Sequence, residues 1–175
     1  MIKMNLQFYL EKLYASQEFD NFKKEFEDAY LFSGFFVVDL SGKDQKQHLD
    51  FYVPSVKKMF SFQLESGLQK VPLESIDGKA PEKLLANYDF DFKEVQVKIE
   101  DEMKAQEIKK DVQKMLFSLQ NIQGVDFLIA TVFISGMGIL KVNLKLPDLE
   151  VTGFEKKSFM EMVGVFQKKD VDKKK

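Results

Sequence analysis

The N-terminal part of the chain carries apolar side chains at the three- and four-residue spacing of amphipathic helices. Residues 4–15 contain Leu6, Tyr9, Leu10, Leu13 and Tyr14 at this spacing. Residues 18–32 continue it with Phe19, Phe22, Phe26 and Tyr30, and charged residues fill the opposite side. The pattern predicts two helices, over 4–15 and 18–32, each with one face against a core.

From Gly34 onward the pattern changes to short runs of β-forming residues separated by turn residues. These runs predict strands over 35–40, 49–53 and 59–64. The first turn is Ser41-Gly42-Lys43-Asp44, and Pro54-Ser55 marks the second. Three consecutive strands joined by short turns indicate an antiparallel meander.

Residues 67–90 contain scattered Gly and Pro residues and predict a connector, with a short helix over 81–87 that begins at Pro81. Residues 92–121 are helical by pattern. Their apolar stripe is Val95, Ile99 and Met103, then Ile108, Val112, Met115, Leu116 and Leu119 after a phase slip near Ala105. A kink or a division into two helices would explain the slip.

The order of helix, strand and turn then recurs. Strands are predicted over 127–134, 139–146 and 150–154, with turns at Ser135-Gly136 and Pro147-Asp148. Ser158 and Glu161 have the spacing of a capping box at the start of a final helix. The apolar face of that helix would be Phe159, Met162, Val163 and Phe166. Residues 168–175 read as a charged, disordered tail.

The predicted fold is therefore α+β, with two halves that each place a helix before an antiparallel meander and with long helices packed on one face of the sheet or sheets. The halves would be 1–66 and 91–167, with 67–90 as the connector and 168–175 as the tail. Whether the two meanders form one sheet or two stays open at this point.

The shared order of elements resembles tandem PepSY-like repeats, in which a helix precedes a three-stranded meander. The similarity covers roughly residues 18–64 and 106–156, and it depends on element order and on the small-residue and Pro turns. PepSY-like modules tend to be secreted or membrane-attached and to modulate proteases or bind proteins. The resemblance implies no catalytic residues.

Composition narrows the class of protein further. The chain has 175 residues, 45% of them hydrophobic and 31% charged, which is typical of a globular protein. It has no Cys, which excludes thiolate catalysis and Cys-ligated zinc. No signal peptide is evident after Met1, and the uncharged run from Phe127 to Leu140 is shorter than the roughly 18 residues of a membrane span. The expected localisation is cytoplasmic.

The net charge of −2 and the absence of Arg disfavour phosphate clamps and nucleic-acid recognition. Lys46, Lys57 and Lys58 could share a sheet face with Tyr52, but nearby carboxylates balance them. Ser41-Gly42-Lys43 lacks the upstream glycine of a P-loop and the helix that follows one. The sequence favours a protein partner over nucleic acid and predicts no cofactor.

The one His, His48, has no nucleophile arranged beside it in a motif and reads as an exposed hairpin residue. A hydrolase would require at least two of five residues to converge in a cleft. These are Asp39, Ser41, His48, Asp50 and Asp89. The prediction is that the protein is not an enzyme and has no catalytic residues.

Acidic pairs occur in Asp89-Phe90-Asp91 and in Glu100-Asp101-Glu102, without the spacing of an EF-hand. The better interpretation is an N-cap at Asp91 and a solvated helix face at 100–102. No metal site is predicted.

The 18 Phe residues either fill a core or line a cavity between sheet and helices. A cavity would be lined by Phe36, Phe51, Phe62, Phe117, Phe127 and Phe133. The first functional hypothesis is a non-catalytic protein-interaction or regulatory module that uses an exposed sheet face or a free edge. The alternative is a carrier of an apolar small molecule or lipid in that cavity.

Overall fold

The computed structural model describes residues 5–75, 77–85, 88–158 and 160–161. It contains three helices and eight strands in these residues. The helices are α1 (Leu6–Tyr14), α2 (Gln17–Glu25) and α3 (Phe92–Ala105). The strands are β1 (Tyr30–Asp39), β2 (Lys46–Val53), β3 (Lys58–Gln63), β4 (Gln69–Leu73), β5 (Val112–Ile122), β6 (Val125–Ile134), β7 (Gly138–Lys145) and β8 (Glu150–Ser158).

All eight strands form one antiparallel sheet in the order β4-β3-β2-β1-β5-β6-β7-β8. The first four strands and the last four are each a meander, and the two meanders meet where β1 pairs with β5. This answers the question that the sequence left open, because the halves share one sheet. The predicted mixture of helices with an antiparallel sheet is confirmed, although the protein is mostly sheet.

The core lies on one face of this sheet. Phe36 of β1 is paired with Phe117 of β5, and paired residues project from the same face. Each helix places an aromatic ring against that face, and the distances that follow are between ring centroids. Tyr9 of α1 lies 5.9 Å from Phe36, and Phe19 of α2 lies 5.5 Å from Phe62. Phe92 of α3 lies 5.1 Å from Phe117. Helix and strand side chains thus form one apolar cluster.

The helices begin at the polar residues expected of N-caps. The side chains of Asn5, Ser16 and Asp91 accept hydrogen bonds from the backbone N–H groups of Phe8, Phe19 and Lys93. The N-cap predicted at Asp91 is confirmed. No helix among the described residues is long and apolar enough to cross a membrane.

The prediction of long helices is wrong. The helix predicted over 18–32 ends at Glu25, because Tyr30 already begins β1. Tyr30 had matched the helical spacing by coincidence. Asp28 instead accepts hydrogen bonds from the backbone N–H and the hydroxyl of Ser55, which ties this turn to the one between β2 and β3.

The predicted helix over 92–121 is correct only as far as Ala105. Glu107 then adopts a φ of 58°, which ends the helix, and Val112–Ile122 form β5. Both faces of β5 carry apolar residues, with Met115, Phe117 and Leu119 buried and Leu116 on the other side. Leu116 interrupts the alternation of apolar and polar residues, and Val112, Met115, Leu116 and Leu119 match the spacing of a helix face.

The connector also differs from the prediction. It contains β4, which adds a fourth strand to the first meander, and residues 81–85 form no helix. The Ser-Gly turns are confirmed, with Gly42 at φ 75° and Gly136 at φ 78°, a region that favours glycine.

The capping box at the end of β8 is confirmed. The carboxylate of Glu161 accepts from the Ser158 N–H at 3.0 Å, and the Ser158 hydroxyl accepts from the Glu161 N–H at 3.2 Å. The rest of the predicted final helix, including Phe159 and residues 162–167, and the tail 168–175 lie outside the described residues.

Candidate functional site

The side of the sheet opposite to Phe36 and Phe117 is the candidate site, and we call it the outer face. The strand register identifies the residues whose side chains project from this face. One row across the strands contains Gln63, His48, Phe35, Ser118, Ile129, Asn143 and Gly153. The next row contains Lys46, Val37, Leu116, Thr131, Lys141 and Glu155. Polar strands thus lie on both sides of a central apolar area.

The apolar area spans the four strands β1, β5, β6 and β7. We call it the apolar stripe, and its members are Phe35, Val37, Leu116, Phe127, Ile129, Phe133 and Ile139. Val37 is 3% exposed and Ile139 is 7% exposed, yet neither belongs to the core cluster. The other five are half-buried. The stripe is therefore partly shielded from solvent, although the ring contacts of the three described helices lie on the opposite face.

A shallow groove of about 600 Å³ lies at one end of the stripe. Leu40, Leu116 and Phe133 supply its apolar lining, and Asp39 and Lys114 lie at its border. Lys114 forms an ion pair with Asp44 of the β1–β2 turn. The groove thus offers apolar surface with a bordering cation already held by a carboxylate.

His48 lies on the outer face in β2 and is half-buried, unlike the exposed hairpin residue that the sequence predicted. Its Nε2 atom is 2.8 Å from Oε1 of Glu65, and its ring centroid is 5.8 Å from that of Phe35. Burial raises the pKa of Glu65, but the hydrogen bonds from His48 and from the Gln47 N–H outweigh this, so the pKa is lowered overall. The pair connects β2 to the segment after β3.

Asp50 also lies on the outer face, two residues after His48 in β2. Its pKa is raised because burial disfavours the charged carboxylate, which outweighs the opposite effects of Ser61, His48 and Ser33. Ser33 and Ser61 are the residues paired with Asp50 on the two adjacent strands. Its Oδ1 atom is buried and has no hydrogen-bond partner in the structure.

We expect Asp50→Asn to raise the unfolding midpoint at neutral pH. A carboxyl whose pKa is raised by folding binds more protons in the folded state, so stability falls as the pH rises from the unfolded pKa through the folded one. An amide cannot ionise, so the stability of the variant does not fall for this reason as the pH rises. The gain should shrink to nothing at a pH below the unfolded pKa of Asp. Thermal unfolding across this pH range measures it, with Asp148→Asn in an exposed turn as the control. A midpoint that stays unchanged or falls at neutral pH would contradict the prediction.

The five residues of the hydrolase hypothesis lie at three separate places. Asp39 accepts hydrogen bonds from the Ser41 hydroxyl at 2.8 Å and the Ser41 N–H at 2.9 Å, and these bonds lower the pKa of Asp39. His48 and Asp50 share the outer face. Asp89 accepts from the side-chain amide of Asn5 at 3.0 Å. The structure brings together two pairs and leaves Asp89 apart.

The acidic clusters named from the sequence have local partners. Glu100 accepts from Gln96 and Glu102 from Gln106, each one helical turn away. Asp101 lies 3.9 Å from Lys104. Within the part of the chain that the structure describes, no three acidic or His side chains are grouped as metal ligands.

The six Phe residues of the cavity hypothesis divide between the two faces. Phe36, Phe51, Phe62 and Phe117 are buried in the core cluster, whereas Phe127 and Phe133 belong to the outer face. Phe51 and Phe62 have ring centroids 5.6 Å apart, and Phe92 lies between Phe36 and Phe117 at 4.9 and 5.1 Å. The six therefore do not line a single space, and the carrier hypothesis stays a prediction.

Sequence reasoning missed Asp126, a carboxylate that is 1% exposed at the start of β6. It accepts hydrogen bonds from the Leu85 N–H at 2.9 Å and from the Asn121 side-chain amide at 2.7 Å. Burial, followed by a hydrogen bond to Asp126, raises the pKa of Tyr88 to about 12. The sequence feature that could have identified Asp126 is its position as a lone carboxylate at the start of an otherwise apolar strand. Through Leu85 and Tyr88, Asp126 attaches the connector to β6.

Fold and site together define a mixed αβ protein with a single eight-stranded antiparallel sheet, whose outer face carries an apolar stripe. No family model and no curated protein matches the chain. A solved structure with a similar fold is that of a candidate lipoprotein from Clostridium difficile 630, with a TM-score of 0.52 and 14% identity over 80% of this chain and 90% of that chain. At this identity the likeness shows the fold alone. It has no bearing on the resemblance to PepSY-like repeats, which stays a prediction.

Proposed function

We propose that this protein is a non-catalytic binding module and that a partner protein docks on the apolar stripe of the outer face. The observation that carries the proposal is the composition of that face. Seven apolar side chains lie over four neighbouring strands, with Ser118 and Thr131 between them and with polar and charged residues on both sides. An apolar centre with a polar rim is the usual anatomy of a protein interface.

The position of the helices supports this proposal. The ring contacts of α1, α2 and α3 are made with the opposite face, and we infer that the helices form a single layer there. A sheet with helices on one side normally presents polar residues on the other. An apolar stripe on the side away from the three described helices departs from that rule, and a partner surface explains the departure.

A flat protein surface is the occupant that fits best. The stripe lies on the pleated surface of a sheet, and the groove at its end is shallow, so it would enclose only a small part of a free small molecule. A flat partner surface can instead cover the apolar side chains of all four strands at once.

The proposal predicts that Leu116→Lys and Phe133→Lys each weaken partner binding on the order of tenfold or more, because a charge would be buried at the centre of the interface. Tagged wild-type and variant chains are used to capture partners from an extract of the source cells, and the affinity for the captured partner is then measured by titration. The control is Val97→Lys, at an exposed position on α3. Thermal unfolding checks that each variant is folded.

The expected result is one partner that binds the wild type and the control but not the outer-face variants. Binding that is equal for all four chains would place the interface elsewhere. Recovery of no partner by the wild type would overturn the proposal.

A further inference from the structure

The two edges of the sheet differ in how open they are to pairing. β4 has five residues and contains Pro72, which lacks the N–H needed for a ladder. β8 has nine residues and no proline, and no described strand pairs with its outer edge. Alternate residues of an antiparallel edge strand direct their N–H and C=O groups outward, so β8 presents the longer free ladder.

The charges along β8 are arranged with opposite sign at its two ends. Glu150 begins the strand, and Lys156 and Lys157 lie near its end. When a strand pairs antiparallel with its own copy, the start of one meets the end of the other. Two copies of β8 therefore bring opposite charges together when they pair antiparallel, but like charges when they pair parallel.

The irregularity in β8 determines which of its side chains share a face. β8 shifts register against β7 between the partners of Asn143 and Leu144, which leaves Thr152 as the extra residue of a bulge. With Thr152 omitted, Glu150, Gly153, Glu155 and Lys157 project from the outer face, and Val151, Phe154 and Lys156 project from the other. Only pairs that project from the same face can be opposite each other.

We propose that β8 pairs antiparallel with β8 of a second copy around a two-fold axis at Phe154. The cross-strand pairs would be Glu150 with Lys157, Val151 with Lys156, Gly153 with Glu155, and Phe154 with itself. Every pair satisfies the requirement for a shared face, and no two like charges lie opposite each other. The two eight-stranded sheets become one continuous sheet of sixteen strands.

The same charges explain why β8 selects a copy of itself over other strands. Adjacent lysines on an edge strand normally discourage pairing with unrelated chains. Here Lys157 faces Glu150 of the copy, so one of the two lysines gains a second carboxylate in the self-pairing register. In the single chain Lys157 lies 3.4 Å from Glu155, an exposed contact on the same face. The interface is closed by symmetry, so it gives a dimer and no filament.

Sedimentation over a range of concentrations tests the dimer and its charges. We expect a concentration-dependent dimer whose dissociation constant rises on the order of tenfold in Glu150→Lys, because each dimer contains two copies of this pair. Lys157→Glu should weaken it similarly, and the double variant should return close to the wild type. Glu74→Lys makes the same change of net charge away from β8 and should have no effect. A wild type that stays monomeric at its highest soluble concentration overturns the proposal, as does a dimer insensitive to both single reversals.

Cysteine crosslinking tests the register separately. The chain has no Cys, so any disulfide comes from the introduced residue. Residues directly opposite each other in an antiparallel ladder have Cα atoms about 4.5–5.5 Å apart, which suits a disulfide. Phe154→Cys should form a covalent dimer under mild oxidation, whereas Val97→Cys on α3 should not. A dimer in which Phe154→Cys does not crosslink, or crosslinks no faster than Val97→Cys, contradicts the register.

Discussion

Replacing Phe92 with alanine is expected to lower the free energy of unfolding by about 3–5 kcal/mol, the usual cost of removing a fully buried ring. Phe92 is 2% exposed and is the first residue of α3. Its ring centroid lies 4.9 Å from that of Phe36 and 5.1 Å from that of Phe117. These two residues are paired across β1 and β5, so Phe92 closes the core above the junction of the two meanders.

Urea unfolding of the wild type and the variant measures this loss. Phe8→Ala is the matched control, since Phe8 is 43% exposed and its ring contacts only Tyr9 among the described ring pairs. The control should change the free energy of unfolding by much less than the Phe92 variant. A loss below about 1 kcal/mol for Phe92→Ala would mean that the core adapts to the missing ring, and that Phe92 does not hold the junction.

The junction that Phe92 covers could not be predicted from the sequence. The meanders were visible because each strand and its turn are close in the chain, as with the Ser41-Gly42 turn and the strand after it. The pairing of β1 with β5 joins residues more than 70 positions apart, and no local pattern encodes it. That the eight strands form a single sheet could therefore be recognised only from the folded structure.

Local hydrogen bonding was predicted well for the same reason. The N-cap at Asp91 and the capping box of Ser158 and Glu161 involve groups within three residues of each other, and both are present. β5 was mistaken for helix because Leu116, which projects from the outer face, completed a helical spacing with Met115 and Leu119. The residue that hid the strand is thus also a member of the proposed binding surface.

Asp126→Ala is expected to lower the free energy of unfolding by about 3 kcal/mol. The substitution removes a buried acceptor from partly buried donors, and a donor left without an acceptor costs about 1–3 kcal/mol. The donors are the Leu85 N–H and the Asn121 amide, and the Tyr88 hydroxyl also bonds to Asp126. Leu85 and Tyr88 belong to the connector, so the loss should release that segment from the sheet.

Titration of Tyr88 distinguishes this role from a general loss of packing. The folded pKa of Tyr88 is raised to about 12 from an ordinary value of 10, so its contribution to stability is present at neutral pH and is lost as the pH rises through this range. In Asp126→Ala the hydrogen bond and the repulsion from Asp126 are gone, while burial remains. The pKa of Tyr88 should therefore fall toward 10 without reaching it, as measured by ultraviolet absorbance.

Hydrogen exchange locates the effect of the same substitution. The Leu85 amide should lose protection in Asp126→Ala, whereas the Phe117 amide in the centre of the sheet should keep its protection under native conditions. Asp148→Ala, at an exposed turn position, is the control and should change neither amide. If Leu85 stays protected while global stability falls, the connector is held by Leu84 in the core and by the Tyr30 hydroxyl that donates to Pro81. Asp126 would then stabilise the β5–β6 hairpin through Asn121 alone.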